Sequence, residues 1–450
     1  MNTKSNFSSK LGFVLATAGS AVGLGNIWRF PYLAAKYGGG TFLLIYIVLA
    51  VTFGFTLMIT ELAIGRKTGK SVIGAFASLD KRFRFLGYLA AIVPMIIFPY
   101  YCVIGGWVMK YGMLYVTGQT RFAAAEDTFN HFIAGTAGPL GYFFIFIAVT
   151  AIIVFLGVEK GIEKFSKLLM PLLVLLTVGI AIYGLTVDGA MAGVKYYLTP
   201  DLSKISLNAI CAALSQLFYS MSIAMGILVT YGSYMKKEDD LSSSVAQIEL
   251  FDTGIAFLAA LIIIPAVFAY SGGDPATLGA GPSLMFIALP KVFANMQFGT
   301  VIGAAFFILV FFAALTSSIS LMETIVSIFM EKLQWTRKKT CLVVLIISLA
   351  LGVPSALGYG LLSTVKLLGM QFLDFFDFIS NSVIMPIVAF FTCIFVGYII
   401  KPKAIHDEVS ASGKFKRYGM YCTMIKYIAP PLLIAILVSS VLNAFGIISL

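Results

Sequence analysis

The chain alternates, from one end to the other, between long apolar runs and short polar connections. A run of about 20 apolar residues matches the hydrocarbon core of a bilayer. In that medium no water satisfies backbone amides and carbonyls, so a spanning segment must be a helix or part of a closed barrel. Runs this long and continuously apolar read as helices. They fall near residues 11–36 (span 1), 41–66 (span 2), 86–117 (span 3), 140–157 (span 4), 163–186 (span 5), 207–234 (span 6), 242–270 (span 7), 298–331 (span 8), 340–358 (span 9), 367–400 (span 10) and 425–447 (span 11). With 60% hydrophobic and 11% charged residues, the composition is that of an all-α polytopic membrane protein.

Net charge of +11 in a soluble chain would suggest nucleic acid. Here most of the 31 lysines and arginines sit in alternate connections, at Lys4 and Lys10, Arg66 to Arg84, Lys160 to Lys167, Lys236 and Lys237, Lys332 to Lys339, and Lys401 to Arg417. That alternation marks cytoplasmic loops under the positive-inside rule, and it gives no reason to expect a nucleic-acid partner. The N-terminus is expected in the cytoplasm and, with an odd number of spans, the C-terminus outside. No signal-peptide cleavage site follows MNTKSNFSSK, so the first span is expected to stay. Five cysteines lie in apolar segments without paired spacing, which suits small core residues better than disulfides or a metal site.

Span 1 is unusual. The stretch GSAVGLGNIWRFPY, Gly19 to Tyr32, puts three glycines, Asn26, Arg29 and Pro31 inside an apolar run. Glycine costs a helix interior about 1 kcal/mol relative to alanine, and proline removes a backbone donor. The helix is therefore expected to break near its middle, leaving carbonyls and amides that need partners. Span 6 carries a second polar interruption, from Ser215 to Gly226. Interrupted spans at matching places in two five-span halves are the mark of an inverted-repeat transporter whose broken helices meet at the bilayer midplane. The halves would be residues 1–186 and 187–400, with 401–450 as a cytoplasmic loop and last span.

Ionisable groups inside spans are expensive and face cavities or partners. They are Arg29, Glu61, Asp252, Glu323, Asp374 and Asp377. Hydroxyls cluster at Ser220 and Ser222, and at Thr316, Ser317 and Ser318. Carboxylate, hydroxyl and carbonyl oxygens suit a hard cation such as sodium. Glu61 and Glu323 fit a proton network or a packing network equally. The long connection at 271–297 reads either as a capping hairpin over an external vestibule or as an ordinary loop. No P-loop, nucleophile elbow or dinucleotide fingerprint occurs, so neither ATP-driven transport nor hydrolysis is expected, and the chain does not read as an enzyme.

The strings AVGLGNIWRFPY, YGGGTFLLIY, ELAIGR, FYSMSIAMGILVTYGSY, AALTSSIS and LDFFDF resemble the neurotransmitter:sodium symporter family, in particular its prokaryotic amino-acid branch. The likeness covers spans 1 to 10. It implies a multi-pass protein of a prokaryotic plasma membrane, with an amino acid as small-molecule partner and two sodium sites. The first would use Ala21, Asn26, Ser220 and Asp252. The second would use the carbonyls of Gly19, Val22 and Ala313 with the hydroxyls of Thr316 and Ser317. Amides of Leu24 and Gly25, with the Tyr101 hydroxyl, would hold the substrate carboxylate, since helix N-termini suit anions.

Gly23 stands where carriers of monoamines have aspartate, so the resemblance implies a substrate that brings its own carboxylate. Ile97, Tyr101, Tyr219, Ser222, Met225, Ser317 and Leu321 would surround its side chain. That lining carries no charge and favours a hydrophobic or aromatic L-amino acid. Asp252 stands where many members have asparagine and need chloride; a carboxylate there implies transport without it. Arg29 and Asp377 would form an external ion-pair gate above Tyr219. Lys4 and Glu331 match the internal pair, with Phe7 at a position where tryptophan is common. Gly161 and Pro171 match a motif that lets span 5 unwind. The expectation is a sodium-coupled symporter working by alternating access; the rival is a membrane sensor that binds an amino acid without carrying it. The sequence sets no oligomeric state.

Overall fold

The computed structural model describes residues 6–271 and 281–447. Among them, nine helices are long and apolar enough to cross a membrane, or up to ten if one bent pair is a single span. That pair is span 1. Lys10–Ala21 and Gly25–Lys36 meet at 54°, and the chain resumes after Gly23 as a π turn, Gly25–Arg29. Span 6 is divided into Leu207–Ser220 and Ile227–Gly232, each too short to cross alone. Both expected interruptions are present.

The other spans are Gly40–Thr68, Lys81–Val116, Ala137–Phe155, Val158–Leu185, Leu241–Tyr270, Gly299–Leu333, Arg337–Leu357, Phe372–Ile399 and Tyr418–Ala444. Span 5 starts five residues before the expected position, because the charged segment VEKGIE winds as a π turn, Val158–Glu163, with Glu163 turned inward. Span 10 starts at Phe372 instead of 367, since Leu367 and Met370 pair in an isolated bridge just before it. Span 11 starts at Tyr418, where its own π turn, Met424–Ile428, extends the helix toward the preceding loop.

Spans 1, 2, 3, 6, 7 and 8 form the interior, and lipid-facing apolar side chains cover spans 4, 5, 9 and 11. The contrast is large: 78% of the apolar window of span 3 is buried, against 28% for span 11. Of the connection at 271–297, residues 272–280 lie outside the described residues. The remainder forms a short apolar helix, Leu284–Asn295, that folds back on the bundle. Phe286 stacks on Phe129 at 4.9 Å and meets Trp28 and Trp107 edge-on at 6.4 and 6.1 Å. It caps one end of the interior.

The opposite end carries the lysine-rich connections. There Arg66, at the end of span 2, is fully buried against the helix Lys401–Ser410. Its Nε donates to Glu408 Oε1 at 2.9 Å and its Nη1 to the Asp239 carbonyl and Ser412 Oγ at 2.8 and 2.9 Å. Lys237 adds a second ion pair to Glu408 at 2.8 Å. Glu408 is thus shared by two cations, which offsets the cost of burying it.

Candidate functional site

The two interruptions face each other. Ser222 Oγ donates to the Ser20 carbonyl at 3.0 Å, and the two serine hydroxyls lie 3.1 Å apart. Between them is a cavity of about 30 Å³. All ten residues expected around the substrate line it: Gly23, Leu24, Gly25, Ile97, Tyr101, Tyr219, Ser222, Met225, Ser317 and Leu321. Ser20 and Ile227 line it too, and no role was expected of either.

Two glycines here leave no room for a side chain. A Cβ on Gly23 would stand 2.8 Å from Ser317 Oγ and 3.2 Å from the Tyr101 hydroxyl. On Gly25 it would meet the Tyr219 ring at 2.6 Å. An aspartate at position 23 has no space in this packing. The Leu24 amide donates to the Tyr101 hydroxyl at 3.5 Å, so both groups expected to hold a carboxylate point at the same place.

Beside the cavity, oxygens converge in two groups. In the first, Asp252 Oδ1 accepts from Ser220 Oγ at 2.6 Å and Asn26 Nδ2 at 2.8 Å. Its Oδ2 accepts from the Tyr46 hydroxyl at 3.2 Å. Asn26 Oδ1 accepts from the Gly23 amide at 3.0 Å, which pins the carboxamide across the break. Asn26 and Asp252 are wholly buried and Ser220 nearly so. A carboxylate, a carboxamide and a hydroxyl within hydrogen-bond reach form a donor set that fits a hard monovalent cation. Tyr46 went unassigned from sequence; only its place in the YGGGTFLLIY string marked it.

In the second group, Ser317 Oγ lies 3.4, 3.2 and 3.4 Å from the carbonyls of Gly19, Ser20 and Val22. Thr316 Oγ1 donates to the Ala313 carbonyl at 3.1 Å, and its Cβ lies 3.1 Å from where a Gly19 Cβ would stand. One hydroxyl cannot satisfy three carbonyls, and carbonyls aimed at a shared point fit a cation as well.

The break in span 6 is held from outside. Ser222 and Ala224 adopt φ of 55° and 63°, in the left-handed region that side chains disfavour, and Gly226 follows at 71°. Glu61 of span 2 accepts from the Ala224 amide at 2.7 Å. Among the described residues, its other oxygen and the side-chain oxygen of Gln216 are buried with no hydrogen-bond partner. Gln216 Nε2 donates to the Gly25 carbonyl at 2.9 Å, tying span 6 to the break in span 1.

Above the cavity is a vestibule of about 430 Å³. Tyr219 lines both spaces and separates them. Arg29 and Asp377 line the vestibule, but among the described residues no ion pair within 4 Å joins them. Arg29 Nη2 donates to Ser215 at 2.9 Å and its guanidinium lies over the Tyr219 ring at 5.6 Å. Asp377 Oδ1 instead accepts from Asn381 at 2.6 Å and Tyr100 at 3.1 Å. Each expected gate residue has found a neutral polar partner.

Aromatic side chains pack together at the lysine-rich end. Phe7 is buried and meets Phe13, Tyr231 and Tyr234 edge-on at 5.6, 5.6 and 6.2 Å. Tyr231 and Tyr234 in turn donate to Ser320 and Glu323, each at 2.8 Å. Glu323 also pairs with Arg337. Lys4 lies outside the described residues, whereas Glu331 accepts from the Ser71 amide at 2.5 Å, just before the short helix Val72–Leu79. Gly161 sits in the π turn that opens span 5, Pro171 lies ten residues on, and the helix between them is continuous.

The sodium:neurotransmitter symporter family matches residues 4–133 and 136–447. The chain belongs to that family. Among relatives, an uncharacterised sodium-dependent transporter of Bacillus subtilis, YhdH, is 35% identical over 98% of each chain. One from Methanocaldococcus jannaschii, MJ1319, is 31% identical over 97% of this chain and 90% of its own. A human sodium- and chloride-dependent GABA transporter 2 is 25% identical over 90% of this chain and 75% of its own. In three dimensions the crystal structure of MhsT in complex with L-phenylalanine superposes with a TM-score of 0.87, at 36% identity, covering 97% of this chain and all of that one. The protein is therefore a multi-pass, sodium-dependent secondary transporter of this family, not an enzyme, and its broken helices 1 and 6 are those of the family's fold.

Proposed function

We propose that the protein imports hydrophobic and aromatic L-amino acids by alternating access, coupled to two sodium ions and independent of chloride. The observation that carries this reading is the cavity between the two breaks. Its lining is apolar and uncharged toward the side-chain end, and at the other end it presents the Leu24 amide and the Tyr101 hydroxyl. A zwitterion satisfies those groups, while a charged side chain would be left unpaired among Ile97, Met225 and Leu321. MhsT, similar over its whole length, holds L-phenylalanine, which supports the same substrate class here.

Sodium is cargo and driving force. One ion would lie among Ala21, Asn26, Ser220 and Asp252, the other among Gly19, Val22, Ala313, Thr316 and Ser317. Each charge entering a negative interior contributes roughly 2.3 kcal/mol per 100 mV. The Asp252 carboxylate supplies next to the first site the negative charge that chloride supplies elsewhere. The lysine-rich end faces the cytoplasm, the vestibule faces outward, and the C-terminus lies outside. Residues 1–186 and 187–400 act as the two inverted repeats and 401–450 as an appended segment. Tyr219 and the Arg29/Asp377 pair close above bound substrate by giving up Ser215 and Asn381 for each other. The lower end then opens, with span 5 unwinding between Gly161 and Pro171. The inner pair assigned by resemblance is Lys4 and Glu331.

Uptake of labelled phenylalanine, tryptophan, tyrosine and leucine into proteoliposomes under an inward sodium gradient tests this. Accumulation that is lost in potassium, and lost in Asn26→Ala, is expected. Sodium-dependent binding without accumulation would replace the importer with a sensor. Replacing chloride by gluconate is expected to change the uptake rate less than twofold; a collapse would remove the role given to Asp252.

A further inference from the structure

The family resemblance assigns the inner closure to Lys4 and Glu331, yet the Glu331 carboxylate is engaged at the Ser71 amide. Lys4 lies outside the described residues, and a second acid joins elements at this end. Glu163, almost wholly buried, receives the Ser8 amide on Oε2 at 2.6 Å. Its Oε1 receives the Ser8 and Ser9 hydroxyls at 2.6 and 3.0 Å and the Lys167 ammonium at 2.7 Å. Four donors on one carboxylate, three of them from the strand of chain that leads into span 1, make a clasp between the start of span 1 and the start of span 5.

The local sequence is shaped around it. Ser9 is also the N-cap of span 1, accepting from the Gly12 amide at 3.1 Å. A Cβ at position 12 would stand 2.1 Å from Glu163 Oε1, so only glycine lets the carboxylate lie against the helix. Lys236, after span 6, donates to the Ser8 carbonyl at 2.7 Å and draws a third element to the same point. Glu163 itself belongs to the π turn, two residues beyond Gly161.

We propose that Glu163 is the positioning residue of the inner gate, holding it shut by fastening Ser8 and Ser9 to the first turn of span 5. The placement makes release concerted. Unwinding span 5 from Gly161 displaces the Glu163 backbone, and all three contacts to residues 8 and 9 go with it. Conversely, while the clasp holds, Phe7 stays seated among Phe13, Tyr231 and Tyr234. Lys167, one helical turn on within span 5, neutralises the carboxylate but fastens nothing across the gate. This inference rests on the reading of the lysine-rich end as the inner gate.

Hydrogen–deuterium exchange of the full-length protein in nanodiscs, read on peptides covering 6–21 and 158–171, tests it without any transport assay. Glu163→Ala is expected to speed exchange at least threefold in both peptides together, with the peptide covering 299–333 unchanged. Glu163→Asp, which keeps the charge on a shorter arm, should recover part of the protection. Ser8→Ala combined with Ser9→Ala, which spares the Glu163–Lys167 pair, should also loosen both peptides, to a smaller extent. Lys167→Ala should leave the 6–21 peptide within twofold of wild type. Unchanged exchange in Glu163→Ala, a rise spread over the whole protein, or equal loosening by Lys167→Ala overturns the assignment. Failure of the import reading would appear instead in the uptake assay, with these exchange rates untouched.

Discussion

Spans 1 and 6 are both broken where they face each other, but they are broken by different means. Between Ala21 and Gly25 the chain relies on glycine, and neither Val22 nor Leu24 leaves the ordinary regions of backbone space. Between Ser220 and Ile227 it forces a serine and an alanine to positive φ, and holds them there with a carboxylate from span 2. The first break is written into its own residues. The second is imposed by a neighbour, so it depends on Glu61 as much as on span 6. An interruption made of glycine leaves its carbonyls free to face cations, and one braced from behind keeps its amides and side chains fixed against the substrate.

The difference can be broken from either side. The largest effect is expected at the glycine break. Gly25→Ala drives a methyl into the Tyr219 ring, and sodium-driven uptake should fall at least tenfold while the protein still inserts and purifies, measured as initial rate per mole of transporter. Bracing should be the next most sensitive. Glu61→Gln weakens or reverses the bond to the Ala224 amide, and leaving a buried donor unsatisfied costs about 1–3 kcal/mol. Thermal unfolding in detergent should show a lower Tm. The smallest effect is at Ala224 itself. Left-handed backbone costs a non-glycine residue roughly 1–2 kcal/mol, partly offset by the entropy glycine adds to the unfolded chain. Ala224→Gly should therefore be neutral or stabilising by up to about 1 kcal/mol. A clear loss of stability would mean that Glu61 does not hold a strained turn.

These two breaks also explain what the sequence discloses. Glycines, an asparagine and a proline inside an apolar run can be read as a break because each has its own backbone consequence. The break in span 1 was legible for that reason, while the cavity lining and the two oxygen groups came from the family resemblance. The turn at Ser222 and Ala224 was only half legible, since serine and alanine carry no preference for positive φ and the cause sits in span 2. Partner choice was the least legible. Arg29 and Asp377 look like a pair from their charges, yet Ser215, Tyr100 and Asn381 compete for them at hydrogen-bond distance. Glu163 was given no role, because nothing local records that a π turn rotates it inward. The early start of span 5 was hidden for the same cause.

The burial of Arg66 against Glu408 has a use beyond stability. Through that side chain, and through Lys237 and the Asp239 carbonyl, the helix Lys401–Ser410 is bolted to the end of span 2 and to the connection after span 6. It is a handle on the outside of the machine, fixed to one group of helices. A dye at the exposed Lys403, paired with a second at the exposed Lys338 at the start of span 9, makes a ruler for single-molecule distance measurements that leaves every binding residue untouched.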